Sequence, residues 1–282
     1  MLQIEPVMPA DARRVDLRGK TIVPGFIDAH WHGAMGEDGI VPQQSWVNLA
    51  SLAFGVTALH DPSNRNDHIF TQAELQRTGQ VLGPRIFSTG SILYGAKGGS
   101  NAVVNNLDDA LTHLNRQKEN GAISVKSYNQ PRREQRQMIL EAARRTQMMV
   151  VPEGASMFQQ NMAQVVDGHT GLEHALPIDL VYDDVKQLWS QTRVGYTPTL
   201  NVAYGGLDGE HYWYARTDVW QHPLLGRYVP PGILQSRAVR RPTAPEEDFN
   251  VIRVARTATE LQRAGVRSEE RRVGKECLRL CR

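Results

Sequence analysis

The stretch Thr21–His32, TIVPGFIDAHWH, is the part of the chain whose reading decides the fold. Pro24-Gly25 is a turn signal, and Phe26-Ile27 continues the apolar run begun at Ile22-Val23. A short turn therefore feeds one buried strand that ends in two histidines with a single residue between them. Side chains at i and i+2 of a strand share a face, so His30 and His32 are expected to project side by side, with Trp31 opposite and Asp28 on their own face. Two neutral imidazoles fixed on one rigid element are well placed to share a metal ion.

With its approach, the motif reads DLRGKTIVPGFIDAHWH from Asp16 to His32. It resembles the first barrel strand of the amidohydrolase superfamily, metal-dependent hydrolases built on a (β/α)8 barrel. The resemblance is nearer to the imidazolonepropionase-like and prolidase-like branch, including members with a TolB-like propeller ahead of the barrel. It runs from about Asp16 to Val266 and fails after Val266.

The 282 residues suit this architecture, because one α/β barrel takes roughly 250. Hydrophobic content of 40% and charged content of 22% read as an ordinary soluble globular chain. A formal net charge of +2 argues for neither nucleic acid nor an anionic membrane as partner. No apolar run approaches the roughly 20 residues that span a bilayer. The start, MLQIEPVMPADARR, lacks a basic segment followed by a long apolar one, so no signal peptide is read and the cytoplasm is the default location. Cys277 and Cys281 both fall in the last residues, so no disulfide framework holds the fold.

Beyond the motif, apolar runs bounded by turn signals read as strands and 3.6-residue periodicity reads as helices. Strands are expected at Gly55–Pro62, Gly83–Gly95, Ala122–Tyr128, Met148–Gly154, Gly168–Leu176 and Val194–Gly206. Helices are expected at Trp46–Phe54, Gln72–Thr78, Leu107–Asn120, Glu134–Arg145, Tyr182–Gln191 and Asp248–Ala264. Lys97-Gly98-Gly99-Ser100 lacks P-loop spacing and reads as a loop. A long segment with His211, Tyr212, Trp213, Tyr214 and Trp220 follows the seventh strand, where substrate-binding loops of a barrel lie; it could stack on a flat substrate or pack its own aromatics.

Lys126 lies inside an apolar strand, where a free cation is costly; the alternatives are a snorkelling side chain or some neutralisation. The resemblance implies that a lysine here is carbamylated and bridges two metals. It also implies that His174, in the Glu173-His174 pair ending the sixth strand, is a further imidazole ligand. Glu153 stands where the family pattern has a histidine, and is either a carboxylate ligand or a loop residue. His60 and Asp61 could line the pocket or belong to a turn, and His169 reads as structural. The metal set is thus His30, His32, Lys126, His174 and Glu153, holding one or two divalent ions, zinc first, with manganese or iron as alternatives.

After Val266 the chain reads RSEERRVGKECLRLCR, dense in charge and without strand period. The resemblance places the general-base aspartate on an eighth strand here, and neither Glu269 nor Glu270 matches it, so no catalytic residue is assigned. The expected organisation is an N-terminal β segment at 1–20, the remnant of a small β-sandwich; an incomplete barrel lacking its eighth strand at 21–266; and a non-native tail at 267–282, of the kind translated adaptor sequence produces. The function implied is metal-dependent hydrolysis of a carbon–nitrogen bond in a small-molecule substrate, with a homo-oligomer as an open option. The alternative is an inactive barrel fragment or a small-molecule binding module.

Overall fold

The computed structural model describes residues 9–96, 102–202, 207, 209–238 and 243–268. Strands and helices alternate: β1 (Phe26–Asp28), α1 (Trp46–Ala53), β2 (Val56–Asp61), α2 (Asn66–Arg77), β3 (Arg85–Ser88), β4 (Leu93–Tyr94), α3 (Leu107–Glu119), β5 (Ser124–Tyr128), α4 (Arg133–Thr146), β6 (Met149–Pro152), α5 (Phe158–Asp167), β7 (Gly171–Glu173), α6 (Asp183–Ser190) and β8 (Gly195–Thr197). Helices α7 (Gly209–Arg216), α8 (Pro223–Tyr228), α9 (Pro231–Ala238) and α10 (Val251–Arg263) follow, and β9 (Arg267–Ser268) comes last.

Every strand pairing is parallel, in three sheets ordered β1-β2-β3, β4-β5-β6 and β7-β8-β9. Spatial order follows chain order because nearly every strand is reached through a helical crossover. The second and third sheets are joined by a parallel bridge between Glu153 and Glu173. No pairing of β9 to β1 closes the series among the described residues.

The core lies between strands and helices. Leu114 and Ile139, from α3 and α4, pack on Val125 and Val150 of β5 and β6. Leu172, Trp189, Tyr196, Leu261 and Val266 form a second cluster. There the Trp189 indole N–H donates to the Val194 carbonyl at 3.0 Å, so its bulk is buried without an orphaned donor. No helix among the described residues is long and apolar enough to cross a membrane.

Several expectations need correction. Residues 9–20 form no strand; Val15 and Leu17 are exposed, and Arg18 folds back onto Asp16 at 2.5 Å. Alternating apolar residues make a strand only against a partner edge, and among the described residues none pairs with this stretch. Residues 1–8 lie outside the described residues. The first strand is also shorter than its apolar run, since Pro24 has no N–H to give and the ladder opens where Phe26 N–H donates to the Gly55 carbonyl at 2.8 Å. Gly168, expected to start a strand, instead ends the unforeseen helix α5 with φ 80°.

The expected absence of an eighth strand is modified too. Helix α10 stops at Gly265, whose φ of 99° suits only glycine. Val266 is buried, and Arg267 and Ser268 enter parallel register beside Gly195 and Tyr196. Residues 269–282, with Glu269, Glu270 and both cysteines, lie outside the described residues, as does the Lys97–Ser100 loop.

Candidate metal centre

The ends of β1, β5, β6 and β7 meet on one side of the sheets. β1 stops at Asp28, so His30 and His32 occupy the turn beyond it and not the strand itself. The turn is held by Asp28 Oδ1, which accepts from His30 N–H at 3.1 Å, and by Trp31 N–H, which donates to the His60 carbonyl at 3.0 Å. Trp31 points away into the cluster with Val47, Leu59 and Ile69. The two histidine rings still come together, 5.0 Å between centroids, with His30 buried and His32 half exposed. The His174 ring stands 4.9 Å from His30 on its other side. His174 follows β7 directly with φ 69°, a left-handed conformation uncommon for a non-glycine residue and a known mark of functional positions.

Each imidazole has a carboxylate partner. His30 Nδ1 contacts Glu173 Oε2. His32 Nδ1 lies 3.4 Å from Asp61 Oδ1, and His174 Nε2 lies 2.9 Å from Glu153 Oε1. Asp61 is fully buried at the end of β2 and is itself fixed by Ser63 N–H at 2.9 Å and the Asn64 amide at 2.7 Å. Glu153 reaches a second partner, Lys126 Nζ, at 2.6 Å. Lys126 is 2% exposed, so it does not snorkel to water.

Burial governs the electrostatics. It pushes His30 down to about 2, helped by the Lys126 charge, so the ring stays neutral. Burial pushes Glu173 up to about 7, against the pull of Lys126. Burial would also raise Glu153, but the His174 hydrogen bond and the Lys126 ammonium outweigh it and hold the carboxyl at about 2.

The structure thus brings together all five residues of the expected metal set: His30, His32, Lys126, Glu153 and His174. Among the described residues no three His, Cys, Asp or Glu side chains already converge as a finished ligand group. Carboxylates that could turn to an ion are turned to imidazoles and to Lys126. The donor chemistry nevertheless fits a divalent metal: His30 Nε2 is buried without a hydrogen-bond partner, and imidazole rings about 5 Å apart match two ligands of one ion at ~2 Å bonds. Imidazoles backed by carboxylates are the usual form of such ligands.

His60 stays outside the set. Its Nε2 meets Ser124 Oγ at 2.7 Å and its Nδ1 meets the Ala29 carbonyl at 3.2 Å, so both nitrogens are taken up. His169 is buried before β7, with Nδ1 donating to the Gln164 carbonyl at 2.9 Å. Asp61, read with His60 as a residue that could line the pocket or belong to a turn, faces His32 from the end of β2. A cavity of about 430 Å³ between α4 and α5, lined by Leu140, Arg144, Met148 and Asp167 among others, shares no residue with this cluster. In the aromatic segment Arg216 stacks on Tyr212 at 4.0 Å and on Phe249 at 5.1 Å, so part of it packs on itself.

No protein-family model matches the sequence, and no curated protein is significantly similar to it. Solved structures are similar in fold. A Xaa-Pro dipeptidase with bound methionine in its active site superposes with a TM-score of 0.56 at 15% identity, over 87% of this chain and 64% of that one. The ochratoxinase of A. niger gives 0.56 at 16%, over 87% and 62%. A bottromycin amidohydrolase gives 0.58 at 17%, over 87% and 57%. The chain therefore spans a little under two thirds of these proteins' length, and its fold is similar to theirs.

Proposed function

We propose that this chain derives from a metal-dependent hydrolase of carbon–nitrogen bonds in small amides, cyclic amides or dipeptides, built on a (β/α)8 barrel whose eighth strand begins at Arg267. One observation carries the reading: three imidazoles from two strand ends, each backed by a buried or half-buried carboxylate. They stand at the C-terminal ends of parallel strands, the face on which barrel enzymes place their chemistry. The names of the similar structures, a dipeptidase and an amidohydrolase among them, support the bond class.

His30, His32 and His174 would hold the metal, zinc before manganese or iron, with Lys126 and Glu153 bordering it. A bound divalent ion supplies an activated water and polarises the substrate carbonyl. The chain's own residues do the rest. Asp61 and Glu153 set the orientation of His32 and His174, and Glu173 holds the proton at Nδ1 of His30. Burial of His30, Glu173 and Lys126 keeps the dielectric low, so charge developing on a tetrahedral centre is felt strongly there. No residue among those described is assigned as general base.

The test is metal content per chain by inductively coupled plasma mass spectrometry, beside a His30→Ala/His32→Ala double variant. Near-stoichiometric zinc or manganese, lost in the variant, supports the reading. Metal no higher than in the variant overturns it in favour of a non-catalytic fragment.

A further inference from the structure

We infer that Glu153 is a positioning residue that keeps Lys126 as an unmodified ammonium and His174 as its Nε2–H tautomer, so that the centre draws on imidazoles alone and takes a single divalent ion. The metal count rests on the function proposed above; the state of Lys126 does not. In this inference Lys126 is not carbamylated, and Glu153 is a partner of ligands instead of a ligand.

The geometry is that of a clamp. One oxygen of Glu153 meets Lys126 Nζ at 2.6 Å, and the other meets His174 Nε2 at 2.9 Å. A carboxylate only accepts, so the hydrogen of His174 lies on Nε2 and its lone pair on Nδ1. The main chain that carries the clamp is fixed. Glu153 N–H donates to the Ser127 carbonyl at 2.9 Å, the Gln164 amide donates to the Glu153 carbonyl at 3.1 Å, and the next residue, Gly154, donates to the Glu173 carbonyl at 3.0 Å.

Carbamate formation joins the neutral amine nitrogen of lysine to the carbon of carbon dioxide and releases one proton. The product is an anion where a cation stood. Here that anion would face the Glu153 carboxylate at ion-pair distance and out of water. Two buried like charges in contact are strongly disfavoured. The Lys126–Glu153 pair is already neutral as a unit, so no modification is needed to bury the lysine.

The test uses the full chain in buffer equilibrated with 13C-bicarbonate, read by 13C NMR for a protein-bound carbamate carbon, with metal content measured on the same samples. Wild type is expected to give no carbamate resonance and no more than one ion per chain. Glu153→Gln, which removes the anion and keeps the shape, is expected to gain the resonance, and Glu153→Asp to stay without it. A carbamate resonance or two ions per chain in wild type overturns the inference, whether or not the variants fold. A folded Glu153→Gln without the resonance overturns the role given to Glu153. Wild type with neither metal nor carbamate refutes the hydrolase reading while supporting the unmodified lysine.

Discussion

The imidazole rings of His30 and His174 stand 4.9 Å apart at an angle of 73°, one beyond the end of β1 and the other beyond the end of β7. Everything proposed for the site depends on these two rings being held by groups that do not themselves touch a ligand. That dependence can be probed one support at a time.

Asp61→Asn removes the charge facing His32 Nδ1 and keeps the side chain's shape, with one acceptor left for the two donors, Ser63 N–H and the Asn64 amide. Loss of such an outer partner weakens metal binding by about 10- to 100-fold. Competition titration against a zinc-sensitive dye should show this loss, with the circular dichroism spectrum unchanged. Wild-type affinity in the variant would mean that Asp61 does not orient the ligand.

Gly154→Ala should damage both fold and site. A Cβ there would lie 2.2 Å from the Glu173 carbonyl oxygen, which is main chain and has little room to yield. Overpacking of this kind costs about 1–3 kcal/mol, and here it pries β7 from the end of β6. Urea denaturation should register the loss, and metal content should fall with it. Gly19→Ala, with nothing within 4 Å, is the contrasting case, where only its φ of 75° resists the change.

His169 predicts a pH dependence separate from the metal. Burial holds it down to about 4 against an ordinary value of 6.5. The unfolded chain therefore takes up this proton below pH 6.5, while the folded chain refuses it until pH nears 4. Stability from this group is complete above 6.5 and falls as pH drops from 6.5 towards 4. Between pH 7.5 and 5 the loss amounts to about 2 kcal/mol, so the urea midpoint of wild type should drop by that equivalent more than the midpoint of His169→Gln. Equal drops would rule the effect out.

Leu261→Ala tests the docking of α10, whose cluster with Trp189, Tyr196 and Val266 seats β9 beside β8. A fully buried leucine truncated to alanine costs about 2–5 kcal/mol. A change under ~1 kcal/mol in thermal or urea unfolding would mean that this helix is not packed as described.

Much of this was legible in the chain. Strand cores such as VTALHD and SVKSY read correctly because buried parallel strands are apolar runs between turn signals. His30 and His32 read correctly as neighbours for a reason that was only partly right, since a turn and not a pleat brings their rings together. What failed was whatever depends on a distant partner. Val15 and Leu17 alternate as a strand would, yet no edge meets them. Helix α5 hides behind polar residues, although Phe158, Met162 and Val165 mark one face and Gly168 its end. The pairing of Lys126 with Glu153 lies across two strands, and no local pattern announces a cross-strand ion pair.

The centre takes its side chains from all three sheets: His30 and His32 from the first, Lys126 and Glu153 from the second, Glu173 and His174 from the third. An ion seated among these imidazoles, as proposed, would act as a rivet between the sheets. Its binding energy would at the same time be cohesion energy, keeping the first and third sheets in reach of each other. Stripping the ion with a chelator would then loosen the seams between sheets before it disturbed the helices packed on any one of them, and hydrogen exchange would speed up first at the strand ends around Asp28, Ser127 and Glu173.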